Sequence, residues 1–236
     1  MKTRMRFTKT GSIKFIGHLD CMRFFQKAIR RAKLDVAYSQ GFSPHQLMSF
    51  ASPLGVGVTS DGEYLDVEFH SLPELLMPEL VFYLNQFMTD EIFVTEIEIM
   101  PDSFKNSMAL LCKADYMIVE KETGVFPENW KEQWNDFMSQ EEILVVKKTK
   151  KSEKEIDIKP FILQQDFELQ SFSEKTDEKY NQIHCEYEGE TLYLQLTSGS
   201  ETNIKPELVM AAFYRFCEKE CKPYSYQVHR LQMHWK

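Results

Sequence analysis

The sequence lacks the motifs that announce the common enzyme classes. It has no Walker A loop, no G-x-G-x-x-G, no H-E-x-x-H and no G-x-S-x-G. The spacings that serve P-loop NTPases, dinucleotide folds, zincins and serine hydrolases are therefore missing. Its longest apolar runs fall far short of the ~20 residues that cross a bilayer. The opening "MKTRMRFTKTGSIKF" has basic residues but no apolar stretch behind them, so it does not read as a signal peptide. Cysteine is scarce: Cys21, Cys112, Cys185, Cys217 and Cys221 form an odd, scattered set. That suits reduced thiols in a cytoplasmic protein better than a disulfide framework. Cys217 and Cys221, four apart, would share a helix face, but they lack zinc's second pair and an iron–sulfur signature's third cysteine. They read as core thiols, and neither metal nor cofactor is expected.

What is present describes a folded chain. Apolar residues make up 43% and aromatics 13% of 236 residues, enough for one large domain or two small ones. The net charge of −8 is unevenly spread. Residues 1–50 hold ten basic groups against Asp20 and Asp35, a local +8 that leaves −16 elsewhere. Such asymmetry points either to an anionic partner or to a basic face docked on the acidic half.

Element order suggests two similar halves. A strand over 3–9 leads into "KTGS", then a helix over 18–33 sets Cys21, Met22, Phe25, Ala28, Ile29 and Ala32 on one face. Arg23, Lys27, Arg30 and Arg31 fall on the other. A short strand at "LDVAYS", a period-2 strand over 63–69, a helix over 71–88 with Pro73 near its start, and a strand over 91–100 complete a β-α-β-β-α-β order. Residues 114–236 repeat it with an extra hairpin: a loop over 163–179, a hairpin turning at Glu188-Gly189-Glu190, and a helix over 206–219. The expectation is α+β, two tandem ferredoxin-like domains over 1–101 and 114–236 with a linker at 102–113, forming a broad antiparallel sheet surface.

Chemistry is expected where the first strand meets the first helix. His18 and Asp20 lie in the helix's first turn beside Lys9 and Lys14, and free N–H groups there suit an anion. Asp20 is equally placed to pair with Arg23. The stretch "YSQGFSPHQLMSFASPLGVGVTS" (38–60) is too long and apolar for a hairpin turn, and it is expected to fold back over that helix start. One pocket would then gather Lys9, Lys14, His18, Asp20, Ser43 and His45, walled by Leu47, Phe50 and Leu54. In the second half, Gly199, Ser200, Thr202, Asn203 and Lys205 precede a helix and form a weaker anion candidate, which capping also explains. The run "KKTKKSEK" (147–154) reads as a solvated hairpin that could touch nucleic acid.

The stretch from "RFTKTGSIKFIGHLD" through "GFSPH" to "PLGVGVTSDGEYLD" resembles the radical-SAM-linked family, bacterial proteins found beside or fused after radical SAM enzymes. "KKTKKSEKEIDIKPFI", "GSETNIKPELV" and "VHR" are similar to it too, although Ser152-Glu153 stands where that family often has glycine. The resemblance implies a bacterial cytoplasmic protein working with a separately encoded radical SAM protein, and it implies no reaction. The chain has no C-x3-C-x2-C triplet of its own to hold a radical SAM cluster.

The leading expectation is a non-catalytic accessory protein that presents or binds RNA or another anion through Arg23, Lys27, Arg30 and Arg31, with no membrane role. One alternative is a metal-independent endoribonuclease using His18 and His45, with Lys9 or Lys14 against the phosphorane. A pseudouridine-synthase-like role would need Asp20 as nucleophile. A third reading is an interaction module whose Met48, Phe50 and Leu54 are exposed.

Overall fold

The computed structural model describes residues 1–148, 153–180, 182–222 and 224–236. The fold is mixed α/β, with mostly antiparallel sheet structure and six α-helices among the described residues. Two compact units divide the chain: Met1–Cys112 with Gln232–Lys236, and Lys113–Leu231.

In the first unit, β1 (Lys2–Lys9) is the central strand. It runs antiparallel to β4 (Thr59–Ser71) on one side and to β5 (Val94–Met100) on the other. β2 (Asp35–Val36) and β3 (Met48–Phe50) follow each other along the outer edge of β4. Met5 and Phe7 of β1 join Leu65, Val67 and Phe69 of β4 in the core, as period-2 alternation requires. Against them pack Phe25 and Ile29 of α1 (His18–Arg31) and Leu80 and Leu84 of α2 (Met77–Asn85). Helix α1 ends where Lys33 turns left-handed (φ 53°), with Leu34 N–H donating to Ile29 O and Lys33 N–H to Arg30 O, a Schellman closure.

Two expectations change here. Helix α2 begins at Met77 with Pro78, not Pro73, in its first turn. A helix started at 71 would carry Pro78 in its interior, where the ring clashes with the preceding turn. Strand β4 starts four residues earlier than 63, and its first seven residues are all buried. With both faces covered, alternation disappears from that part of the sequence.

The second unit orders its strands β11-β6-β10-β9. These are β6 (Leu111–Glu120), β9 (Ile162–Asp166), β10 (Thr191–Thr197) and β11 (Tyr226–Trp235). The one-turn helix α3 (Ser107–Leu110), Leu111 and Cys112 of β6, and β11 from Gln232 onward belong to the first unit. Helices α4 (Trp130–Ser139) and α6 (Pro206–Phe216) meet through Trp134, Phe137 and Phe213, whose rings lie 5.0–5.6 Å apart. Strands β7 (Leu144–Lys148) and β8 (Glu153–Asp157) pair separately, and residues 149–152 of the basic run lie outside the described residues. In both units the strand order is fourth, first, third, second, if β2 and β3 count as one strand.

The loop expected over 163–179 instead holds the end of β9 and the helix α5 (Leu169–Thr176). Its sequence, LQSFSEKT, buries only Phe172, so it carries almost no periodic signal. Phe172 stacks between Tyr180 and Tyr193, at 6.0 and 5.6 Å. Asp166 secures the helix start, accepting from the amides of Phe167 and Glu168, the Ser171 hydroxyl and Lys175 Nζ. Among the described residues the hairpin expected around Gly189 is also absent: Thr191–Thr197 is a strand, but it pairs with β6 and β9. Helix α6 stops at Phe216, so Cys217 is its C-cap and shares no helix face with Cys221.

Burial opposes ionisation of Asp166, but Lys175, the Glu168 amide and the Ser171 hydroxyl outweigh it and hold the carboxyl at about 2. A carboxyl depressed in the folded state stabilises above its unfolded pKa of about 3.9 and loses that contribution as pH falls toward the folded value. Asp166→Ala is expected to cost about 1–2 kcal/mol at neutral pH. In urea titrations, the gap between variant and wild type should close as pH drops from about 4 toward 2.

Candidate functional site

The connection from β1 to α1 is built before its side chains matter. Lys9 ends β1, residues Gly11–Phe15 form a 3-10 turn, and Gly17 opens α1 with no side-chain cap. The turn is held from the α2–β5 connection by Glu91, whose carboxylate accepts from the Ser12 amide at 2.8 Å and the Ser12 hydroxyl at 2.7 Å. Those bonds draw the Glu91 carboxyl below its ordinary range. Gly11 fits there without strain. Its φ is +53°, and a Cβ would lie 2.1 Å from Glu91 Oε1. Gly11→Ala is expected to destabilise by about 1–2 kcal/mol from the backbone alone, read as a lower thermal midpoint. Gly17→Ala, with nothing within 4 Å of its Cβ and φ −73°, serves as the control.

Behind the turn lies a recess lined by Phe7, Lys9, His18, Cys21, Phe50, Pro53, Leu54 and Glu63. Lys9 is 2% exposed and its Nζ donates to Ile16 O at 2.9 Å. Burial lowers the amine's pKa, while the neighbouring Cys21 and Glu63 work in the opposite direction. Burial pushes the Cys21 thiol up to about 12, so it stays protonated and unreactive at neutral pH. The room left is about 10 Å³, space for a single water. A buried amine already committed to a carbonyl, beside an inert thiol and with no substrate volume, is suited to holding the turn in place.

The structure gathers only part of the expected pocket. Lys9, His18, Phe50 and Leu54 line the recess, whereas Lys14, Asp20, Ser43, His45 and Leu47 do not. The 38–60 stretch divides in two. Its second half does return to the helix start, where Gly57 N–H donates to Lys14 O at 2.8 Å. Its first half, 39–45, protrudes from the β2–β3 edge beyond the Tyr38–Gln46 bridge. There the Ser39 hydroxyl bonds His45 Nδ1 at 2.8 Å and accepts from the His45 amide, leaving Phe42 wholly exposed. Phe50 and Leu54 are buried, so neither offers an exposed docking patch. Asp20 pairs with Arg23 at 2.9 Å.

Sequence reasoning overlooked Cys21 and Glu63 as lining residues. The signal existed: Glu63 shares strand parity with Leu65, Val67 and Phe69, so alternation already turned a carboxylate inward.

On the solvent side of α1, Arg23, Lys27, Arg30 and Arg31 are all exposed. Arg23 is engaged by Asp20, and Arg31 donates to Phe87 O at 2.7 Å. The side chains of Lys27 and Arg30 have no hydrogen-bonded or ion-pair partner among the described residues. In the second unit, Gly199 N–H donates to Thr202 O and Ser198 bridges to Asn203, so "GSETN" is a tight turn leading to Lys205, the N-cap of α6.

Residues 2–206 match the family described as "uncharacterized protein conserved in bacteria (DUF2344)". The chain belongs to that family. No curated protein matches it. In this DUF2344 protein no described helix is long and apolar enough to cross a membrane.

Proposed function

We propose that this DUF2344 protein is a non-catalytic accessory protein that binds RNA through the solvent face of α1 and serves a separately encoded radical SAM enzyme in the bacterial cytoplasm. The observation that carries it is the exposed cationic row Arg23, Lys27, Arg30 and Arg31 on the solvent face of α1, the kind of surface that neutralises phosphates. The Arg23–Asp20 pair is 68% and 62% exposed, and such surface pairs contribute at most about 1 kcal/mol, so phosphate can displace it. The nearly filled recess around Lys9, with room for a single water, supports binding over catalysis. The strand order of each unit supports reading the pair as tandem ferredoxin-like domains. The radical SAM partner rests on the sequence resemblance alone.

The test is retardation and cleavage of a structured RNA by the wild type and by His18→Ala/His45→Ala. The expected outcome is equal retardation by both and cleavage by neither. Cleavage by the wild type that the double variant abolishes would replace this reading with the ribonuclease one.

A further inference from the structure

The notch that Glu91 fills in the first unit has a counterpart in the second. In the first unit a Thr-Gly pair, Thr10-Gly11, follows the first strand, and the Glu91 carboxylate occupies the slot that Gly11 leaves. The second unit repeats the pair as Thr123-Gly124 after β6, with Gly124 again at positive φ, +84°. The connection opposite, from α6 to β11, puts Glu220 in the lining of the same cleft, but among the described residues no carboxylate fills the slot beside Gly124 as Glu91 fills the one beside Gly11. A Cβ at Gly124 would meet nothing within 4 Å. In place of a filled slot lies a cleft of about 490 Å³, within the range of small-molecule sites.

The cleft's chemistry narrows what fits. Buried Tyr214 is part of its lining and is fixed by donation from its hydroxyl to Val125 O at 2.7 Å. The same lining includes Lys219, Lys222 and the exposed Tyr224, which adopts a left-handed φ of 62°, uncommon for a bulky side chain. Three glutamates, Glu122, Glu128 and Glu220, balance the lysines Lys121, Lys219 and Lys222. A polyanion such as a nucleotide would meet as much repulsion as attraction. A ligand bearing one charge of each sign would not.

We propose that this cleft binds a zwitterionic small molecule of the amino-acid type. Its carboxylate faces the Thr123-Gly124 turn, Lys219 and Lys222. Val125, which stands where the first unit has Ser12, has no hydroxyl and its amide donates to Glu122 O at 3.3 Å, so the lysines replace the donors that hold Glu91. Its ammonium group faces the rim glutamates, and this assignment does not depend on the RNA reading.

The experiment is amide NMR of the full chain titrated at constant ionic strength with glycine, 4-aminobutyrate and L-phenylalanine, using acetate and methylammonium as single-charge controls. At least one zwitterion should shift the Gly124 and Thr123 amides saturably while Gly11, whose notch is filled, stays still. The exposed double change Lys219→Glu/Lys222→Glu should weaken that affinity at least tenfold with the rest of the spectrum intact. No saturable shift from any zwitterion, an equal response to acetate, or an unaltered affinity in the variant would overturn the proposal.

Discussion

Lys27→Glu combined with Arg30→Glu is expected to lower the affinity for structured RNA on the order of 100-fold at low salt, and about equally for unrelated sequences. Both side chains stand on the solvent face of α1, away from the buried Cys21, Phe25, Ala28 and Ile29. Reversal should therefore leave folding within about 0.5 kcal/mol of wild type. Each reversal removes a phosphate contact and adds a repulsive one, which is why the effect exceeds that of alanine. Lys27→Ala/Arg30→Ala should fall between. Filter binding with two RNAs of different sequence, beside a melting curve for each variant, measures both quantities. Affinity retained by the glutamate variant would remove α1 from the interface.

The largest loss of stability is expected at Lys9. Lys9→Met keeps the length of the side chain but withdraws the bond to Ile16 O and the positive charge beside Glu63, which is 2% exposed. Removing one member of a buried charged cluster costs about 3–5 kcal/mol. His18→Ala, at the exposed lip of the same recess, should change stability by no more than about 0.5 kcal/mol. Urea unfolding of the two variants separates a lysine that holds the β1–α1 turn from one kept for chemistry. If Lys9→Met unfolds at the wild-type midpoint, the turn does not depend on it.

Much of the first unit was legible because its elements are amphipathic. Helix α1 carries its apolar residues at 3.6 spacing, and β1, β4 and β5 alternate over much of their length, so their type and order follow from the residues. Legibility failed where tertiary structure overrides pattern. Helix α5 is fixed by one buried ring and the hydrogen bonds that Asp166 accepts, neither of which has a period. The start of β4 is buried on both faces and reads as a turn, "TSDGE". At the candidate site, Lys9 and His18 were found because they flank a helix start. The separation of Ser43 and His45 from the recess depends on a protrusion at 39–45 that interrupts an edge strand, held by the Ser39–His45 bonds. Nothing in the order of glycines and prolines distinguishes that excursion from a loop folded inward.

On the proposed reading, the exposed cations of α1 bind RNA as phosphate ligands. The most direct test is the salt dependence of wild-type binding to a structured RNA. A plot of log K against log salt should be linear with a slope of about −2 to −4, one phosphate for each cation engaged, and the slope should shrink by about 2 in Lys27→Glu/Arg30→Glu. No binding at low salt, or a slope near zero, would contradict the claim.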